Sequence, residues 1–476
     1  MKMTFPLPRT MGDVRSQVLL RGLFGGVLAG AAPAAAGPLL MLPALALLWS
    51  VATRPRVAAL WGLLAVLISH RWLLALHPLT WMGIPAPLSL PIAITLWLIC
   101  GAAAALLLLL WSLLARWWFR SAERPSPLIG VFLLSLLWTG VELLLEGSPL
   151  FWIGLGGSVL PLDRPLAGLS RWLGSGGLAM LQLFWGWGLW QLSRRGGRGW
   201  PLWLISLVLA HGLGARLLVP PEAVGELKLA AWQPAVPTRE KFSVERQQSF
   251  ARHLERSLQQ AEQLGAEALV APEGTLPSRW RPSVDGLPLP LLSGGFRWVR
   301  GQQRSSLLLA QPGQPGLQSL LDKHRLVPLG EWLPPLPAGF ARGLSAVGGL
   351  EPGAAPRLAR TAFGPAGVAI CYELSHGRAL AAATADGAEW LLSIANLDPY
   401  PELLQRQFLA LAQLRAIESG RDLLSVGNTG PTAVVQADGH VQRLLPAGEE
   451  GVALAELQRR RQRTAYVQLL GWRFSA

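Results

Sequence analysis

Three short stretches in the second half of the chain set a reactive side chain at the end of an apolar run: Ala271-Pro272-Glu273-Gly274, Asp322-Lys323-His324 and Ile370-Cys371-Tyr372-Glu373. Strand ends are where an α/β sheet exposes its active residues. Cys371 is the only cysteine of this half, and so the only thiol nucleophile available there. A thiol attacks as thiolate and needs a base beside it or a cation to lower its pKa. Glu273 has the chemistry of that base. Lys323 has the chemistry of the cation, able to stabilise the thiolate and to donate to a developing oxyanion. Each also has a bland reading: Cys371 as a small buried hydrophobe, Glu273 as a helix N-terminal residue after a proline, Lys323 as a solvated loop charge. No histidine is obviously placed for a Cys-His pair, His324 and His376 being nearest by sequence. The residues make a site only if they converge in space.

The elements that must bring them together are short apolar runs bounded by turn signals: 227–232, 268–271, 307–310, 367–371, 390–395 and 423–426. Such runs read as buried strands. Between the first two, Phe250, Leu254, Leu258, Ala261 and Leu264 fall at helical spacing, and a second helix is expected over 403–418. The alternation predicts an α/β layered domain with helices outside a central sheet. Gly/Pro-rich loops lie near 282–290 and 333–356, and Gly pairs such as Gly294-Gly295 read as turns. No metal or nucleotide motif appears, and no cofactor is expected.

The first half has a different character. The chain is 51% hydrophobic and 15% charged, and most of the apolar excess lies before residue 220. There, runs of about 20 apolar residues recur, the length that crosses a ~30 Å hydrocarbon core. Spans are read near 17–33, 37–53, 57–77, 88–115, 127–146, 167–193 and 200–219. This gives a membrane domain of about seven transmembrane helices over 1–220 and a soluble domain over 221–476. Many of the 22 tryptophans sit near span ends, as amphipathic indoles do at headgroup level.

Lys2, Arg9 and Arg15, then Arg54 and Arg56, then Arg116, Arg120 and Arg124, then Arg194, Arg195 and Arg198 mark alternate span ends as cytoplasmic. The soluble half accordingly falls on the extracytoplasmic side. A competing reading of the start is a cleavable signal peptide ending in the Ala-rich stretch 31–36, which leaves that side unchanged. Of the ionisable residues in the spans, Arg71 and Glu146 read as snorkelling to the interface, and Glu142 as the better functional candidate, with His70 beside them. The net charge of +14 is scattered through loops and does not form a nucleic-acid face. Two cysteines, one in each half, make no disulfide framework.

The stretches Val270-Ala271-Pro272-Glu273, Lys323 to Glu331 (KHRLVPLGE) and Ala369-Ile370-Cys371-Tyr372-Glu373 resemble, in their order, the three catalytic stretches of the nitrilase superfamily. The lysine stretch and the preceding apolar helices resemble its membrane-fused branch, the apolipoprotein N-acyltransferases. The likeness extends to Ala231-Trp232-Gln233 and Gly427-Asn428-Thr429-Gly430.

That resemblance implies an α-β-β-α sandwich joined to a multi-pass helical membrane domain in the bacterial inner membrane, with the sandwich on the periplasmic side. It implies Glu273 as general base, Lys323 as oxyanion stabiliser and Cys371 as nucleophile, with Glu331, Tyr372 and Glu373 as support. The donor would be a membrane phospholipid, the acceptor the N-terminal amine of a diacylglyceryl-lipoprotein, and the intermediate a Cys thioester. Other readings are a membrane-tethered amidase, in which water resolves the thioester, and a non-catalytic scaffold with a degenerate nitrilase domain.

Three departures stand out. Asn396-Leu397-Asp398-Pro399-Tyr400-Pro401 replaces the branch's usual Asn-Asp-Ala-Trp-Phe-Gly. A branch tryptophan falls on Phe242. Residues 466–472 are too short for the final membrane helix that the branch normally has.

Overall fold

The computed structural model describes residues 11–82, 84–120, 126–148, 151–194, 199–238, 240–241, 244–278, 280–282, 287–328, 330–332, 349–398 and 400–471. Phe242, Pro399, Trp472 and most of the two Gly/Pro-rich loops lie outside them.

The N-terminal half contains the long helices α1 (Met11–Ala31), α2 (Pro38–Ser50), α3 (Pro55–Ser69), α4 (Ala86–Arg120) and α5 (Pro127–Gly147). The short helices α6 (Gly154–Gly157) and α7 (Arg164–Ala167) follow, then α8 (Ser170–Arg194) and α9 (Trp200–Leu217). Prolines 38, 55 and 127 open three of these helices, where the missing N–H costs nothing. By length and composition, the helical runs over 15–36, 86–120, 127–147 and 200–217 can each cross a membrane. The run expected over 57–77 stops at Ser69, and residues 71–76 form a tight 3₁₀ turn. Trp117 and Trp200 are exposed, as an interfacial belt requires, whereas Trp49 and Trp111 are buried against each other with ring centroids 5.1 Å apart.

The second half contains two six-stranded sheets where the sequence suggests one central sheet. The first comprises β1 (Ala223–Gln233), β2 (Ala268–Leu276), β3 (Leu291–Val299), β4 (Gln302–Ala310), β5 (Gln318–Asp322) and β12 (Gly451–Arg460), in the order β12-β1-β2-β3-β4-β5. The second runs β11-β10-β9-β8-β7-β6, from β6 (Leu358–Ala359), β7 (Ala366–Ile370), β8 (Trp390–Ala395), β9 (Leu423–Gly427), β10 (Thr432–Val435) and β11 (Val441–Leu445). Alternation along the strands assigns the layers. Leu229, Ala231 and Val270 join Val368, Ile370 and Leu392 in the core between the sheets. Their neighbours Ala230, Trp232, Leu269 and Ala271 instead pack on Leu254, Leu258 and Ala261 of α10 (Val244–Gln263). Helices α11 (Gly377–Ala385) and α12 (Glu402–Ser419) follow strands of the second sheet, and α13 (Ala465–Gly471) ends the described chain.

Helix α12 joins the halves. Residues 407–419 are buried throughout. Ala410, Leu414 and Ile417 pack with Leu166, Leu178 and Trp185 of the N-terminal half. Gln407 Nε2 donates to the Ser69 carbonyl at 3.1 Å, and the Ser175 N–H donates to Glu418 at 2.8 Å. Glu146 does not snorkel: it is buried and accepts from Arg415 at 3.2 Å, while Arg415 also donates to Glu418 at 2.5 Å. Arg71, in contrast, is exposed. Removing one partner of a buried ion pair strands the others. Arg415→Met should therefore cost about 3–5 kcal/mol, read as a lowered melting temperature in detergent.

Candidate active site

Cys371 follows β7 directly and has φ +58, a left-handed backbone that a non-glycine residue adopts at a cost of about 1–3 kcal/mol. The kink ends the strand and starts the 3₁₀ turn Cys371–Ser375, lifting the thiol off the sheet. Glu273 lies inside β2, beside β3 of the same sheet. Gly294 is not in a turn but in β3, where a Cβ would fall 2.4 Å from the Glu273 Cα. The pair read as a turn is thus a place where one backbone must approach another. Lys323 follows β5, its N–H donating to Ser305 O at 2.8 Å.

The three stretches converge. Lys323 Nζ lies 2.7 Å from Glu273 Oε1 and 2.7 Å from Glu331 Oε1. The Cys371 thiol lies among the charges of Glu273, Lys323 and Glu331. Burial opposes the Lys323 charge, but Glu273 and Glu331 outweigh it and push the ammonium pKa well above its usual value. Burial also pushes Cys371 well up, and the adjacent Glu273 adds to this. The resting nucleophile is therefore a neutral thiol near a carboxylate, and its proton must leave as it attacks. Burial raises Glu331 too, with Lys323 pulling the other way.

The supporting residues act on the backbone. Glu373 accepts from the N–H groups of His324 (2.8 Å), Arg325 (2.9 Å) and Ile370 (2.9 Å), and pairs with buried Arg357 at 3.1 Å. One carboxylate thus clamps the lysine loop to the cysteine turn. Tyr372 donates its hydroxyl to Leu326 O at 2.7 Å and presents its ring to Lys323 Nζ, 5.9 Å from the centroid. Glu331 Oε2 accepts the Val327 N–H at 2.9 Å, curling the lysine loop back onto itself. His324 spends Nδ1 on Gly353 O at 2.8 Å and takes no part in a Cys-His pair.

A largely apolar cavity reaches from Cys371 and Tyr372 between α1, α3, α4 and α5. Along α4 its wall runs from Leu96 to Leu108, about 18 Å at 1.5 Å per residue. The half-bilayer spanned by one lipid chain is about 15 Å. Glu142 lines the cavity, but its oxygens are taken by the Leu155 N–H (2.8 and 2.9 Å) and by Trp138 Nε1 (3.1 Å). It fixes the wall rather than facing a substrate with free valence.

Sequence reasoning missed Lys241, whose Nζ donates to Asn396 Oδ1 at 2.8 Å and to the Glu273 carbonyl at 3.4 Å. It also missed Arg357. Lys241 sits in a polar stretch with no strand end to mark it, and Arg357 in a Gly/Pro-rich loop.

A thiol and an ammonium just past strand ends and a carboxylate within a strand, brought together by two packed sheets, define a class, the carbon-nitrogen hydrolases, and the model of that family matches residues 303–466. The match includes Lys323, Glu331 and Cys371 and begins beyond Glu273. Over 98% of its length the chain is 70% identical to the apolipoprotein N-acyltransferase of Parasynechococcus marenigrum (strain WH8102), covering 100% of that protein. It is 57% identical to the apolipoprotein N-acyltransferase of Prochlorococcus marinus (strain MIT 9313), over 94% of this chain and 91% of that one. The chain belongs to the apolipoprotein N-acyltransferase family, and so is a membrane enzyme of the acyltransferase class. Among solved structures, Saccharomyces cerevisiae Nit3, a member of branch 10 of the nitrilase superfamily, is similar over 53% of this chain and 95% of its own, at 15% identity and TM-score 0.37. The expected fold class, a helical membrane region with a nitrilase-like α/β domain, is met.

Proposed function

We propose that the protein moves a fatty-acyl chain from a membrane phospholipid, through a thioester on Cys371, to the N-terminal amine of a diacylglyceryl-cysteine lipoprotein. The observation that carries this reading is the apolar cavity running from Cys371 into the helices of the N-terminal half. A soluble amide needs no such cavity; a lipid ester does.

In the first step Cys371 Sγ bonds to the ester carbon while Glu273 takes the thiol proton. The tetrahedral oxyanion sits between the Lys323 ammonium and a backbone N–H near Tyr372, a donor set prepared before charge develops. The C–O bond then breaks and Glu273 returns the proton to the leaving lysophospholipid. In the second step the acceptor amine attacks the thioester, a C–N bond forms, the C–S bond breaks, and Glu273 relays a proton to the departing thiolate. Holding the thiol beside a lipid-filled cavity replaces a two-body encounter by a positioned one. The basic residues at alternate span ends support seven spans over 1–220, placing the catalytic half (221–476) on the periplasmic side of an inner membrane.

The test combines purified protein, phospholipid and a synthetic diacylglyceryl-cysteinyl peptide. The peptide should gain one acyl group, whereas release of free fatty acid without peptide acylation indicates the amidase. Ala103 lies on the cavity wall, and Ala103→Trp should plug it. Transfer of long acyl chains should fall by about 5- to 150-fold in this variant, since overfilling a packed site costs about 1–3 kcal/mol, while short-chain donors keep their rate. Equal losses for both chain lengths would remove the cavity from the account.

A further inference from the structure

Five charged side chains meet around Cys371. Lys323 bridges Glu273 and Glu331, each at 2.7 Å. Lys241 Nζ contacts the Glu273 carbonyl, and the charges of Glu273, Asp398 and Cys371 act on it. Asp398 holds the Lys241 loop, accepting the Thr238 N–H at 2.6 Å. Glu373 stands apart, its charge matched by Arg357 at 3.1 Å. His253 and Glu450, which share a second cavity with Lys241, pair with each other at 2.9 Å. The cluster therefore has three carboxylates, Glu273, Glu331 and Asp398, against two ammonium groups. One carboxylate is left without an ammonium of its own, and a proton taken up by the cluster must go to one of the three.

Where that proton sits decides whether Glu273 can act. Lys323 cannot choose, because it lies equally close to both of its carboxylates. Lys241 is not symmetric. Its Nζ is 3.4 Å from the Glu273 carbonyl, while the Glu331 carboxylate accepts from Lys323 Nζ and the Val327 N–H. The ammonium is anchored by Asn396 Oδ1 at 2.8 Å, and Asn396 is itself held by Asn428 Nδ2 at 2.8 Å and donates to Thr238 Oγ1 at 2.8 Å. This amide relay ties the loop after β1 to the loop after β8 and fixes the cation on the Glu273 side.

We propose, building on the acyl-thioester chemistry above, that Lys241 selects the base: its charge keeps Glu273 ionised and leaves the shared proton to Glu331. Lys241 acts through Glu273 and is a positioning residue. The raised pKa of Glu331 agrees with this placement. Burial lowers Lys241 itself to about 8, with Glu273, Asp398 and Cys371 pulling the other way, so the charge is present at neutral pH and below.

The experiment follows acylation of Cys371 from phospholipid in detergent micelles by intact mass, as a function of pH. Lys241→Met removes the charge and the tether. Lys241→Gln removes the charge but still donates to Asn396, and Lys241→Arg keeps the charge. In the Met and Gln variants the acid limb of the rate profile should move up by about one pH unit, and the rate on that limb should fall about tenfold, the scale of a lost opposite charge nearby. The Arg variant should keep the limb in place. A Gln variant with the wild-type profile overturns the proposal, because Lys241 is then only a tether. A wild type that forms no thioester overturns the reading beneath it instead.

Discussion

Cys371→Ala is expected to abolish the fatty-acyl adduct that the wild-type protein gains when incubated with phospholipid. The wild-type mass should rise by one acyl group, and hydroxylamine should release it. The variant should show no rise, and its transfer rate should fall by about 10⁴-fold or more, as when a covalent nucleophile is removed. The alanine keeps the left-handed turn without new bulk, so melting should be unchanged and the loss can be assigned to chemistry. Cys100 lines the same cavity on α4 and is the built-in control. An adduct that survives in Cys371→Ala would put the acyl group on Cys100 and end the assignment.

Lys323→Met is expected to lose about 10²–10³ in acylation rate from the missing oxyanion donor alone. Its second effect is on the ground state. Glu273 and Glu331 would face one another without the ammonium between them, and one would hold a proton to higher pH. The remaining activity should therefore appear only at raised pH. Stability should fall as well, by about 3–5 kcal/mol, as when one partner of a buried ion pair is removed. Lys323→Arg should not rescue, because Lys323 is 0% exposed and reaches Glu273 and Glu331 from one nitrogen at 2.7 Å each, a point-charge geometry that a planar guanidinium does not reproduce. A variant retaining both rate and melting temperature would show the lysine to be a bystander.

The catalytic stretches were legible because each is local: an apolar run, its end, and a reactive residue just there. Most of the strand runs read from sequence correspond to strands that begin or end within a few residues of them, and the expected helix over 403–418 is α12. The strands that escaped notice have a physical reason. Gln318–Asp322 and Val441–Leu445 lie at sheet edges, where one side meets solvent and polar residues intrude. Leu291–Val299 is interrupted by the glycines that allow its approach to Glu273. The strand pattern alone suggests one central sheet, because periodicity shows that a face is buried and not what buries it; the two-sheet sandwich was legible only through the family resemblance.

Pairings across long sequence separations left no local trace. Glu146 and Arg415 are 269 residues apart, and each alone looks like a solvated charge. Lys241 reaches Asn396 over 155 residues, from a stretch that carries no strand-end signal. Glu373 was assigned to the site by the family resemblance, but its work on three backbone N–H groups emerges only once the lysine loop is folded against it.

Helix α12 bears on the timing of assembly. It leaves the ribosome after all the long helices of the N-terminal half and before β9 to β12. Its buried length rests on the earlier helices on one side and carries the second sheet on the other. The sheets therefore close last, on a support that exists only once the preceding helices have been inserted. A chain caught partway through synthesis has the cysteine turn but still lacks the stretch of cavity wall that Leu404, Gln407 and Phe408 supply.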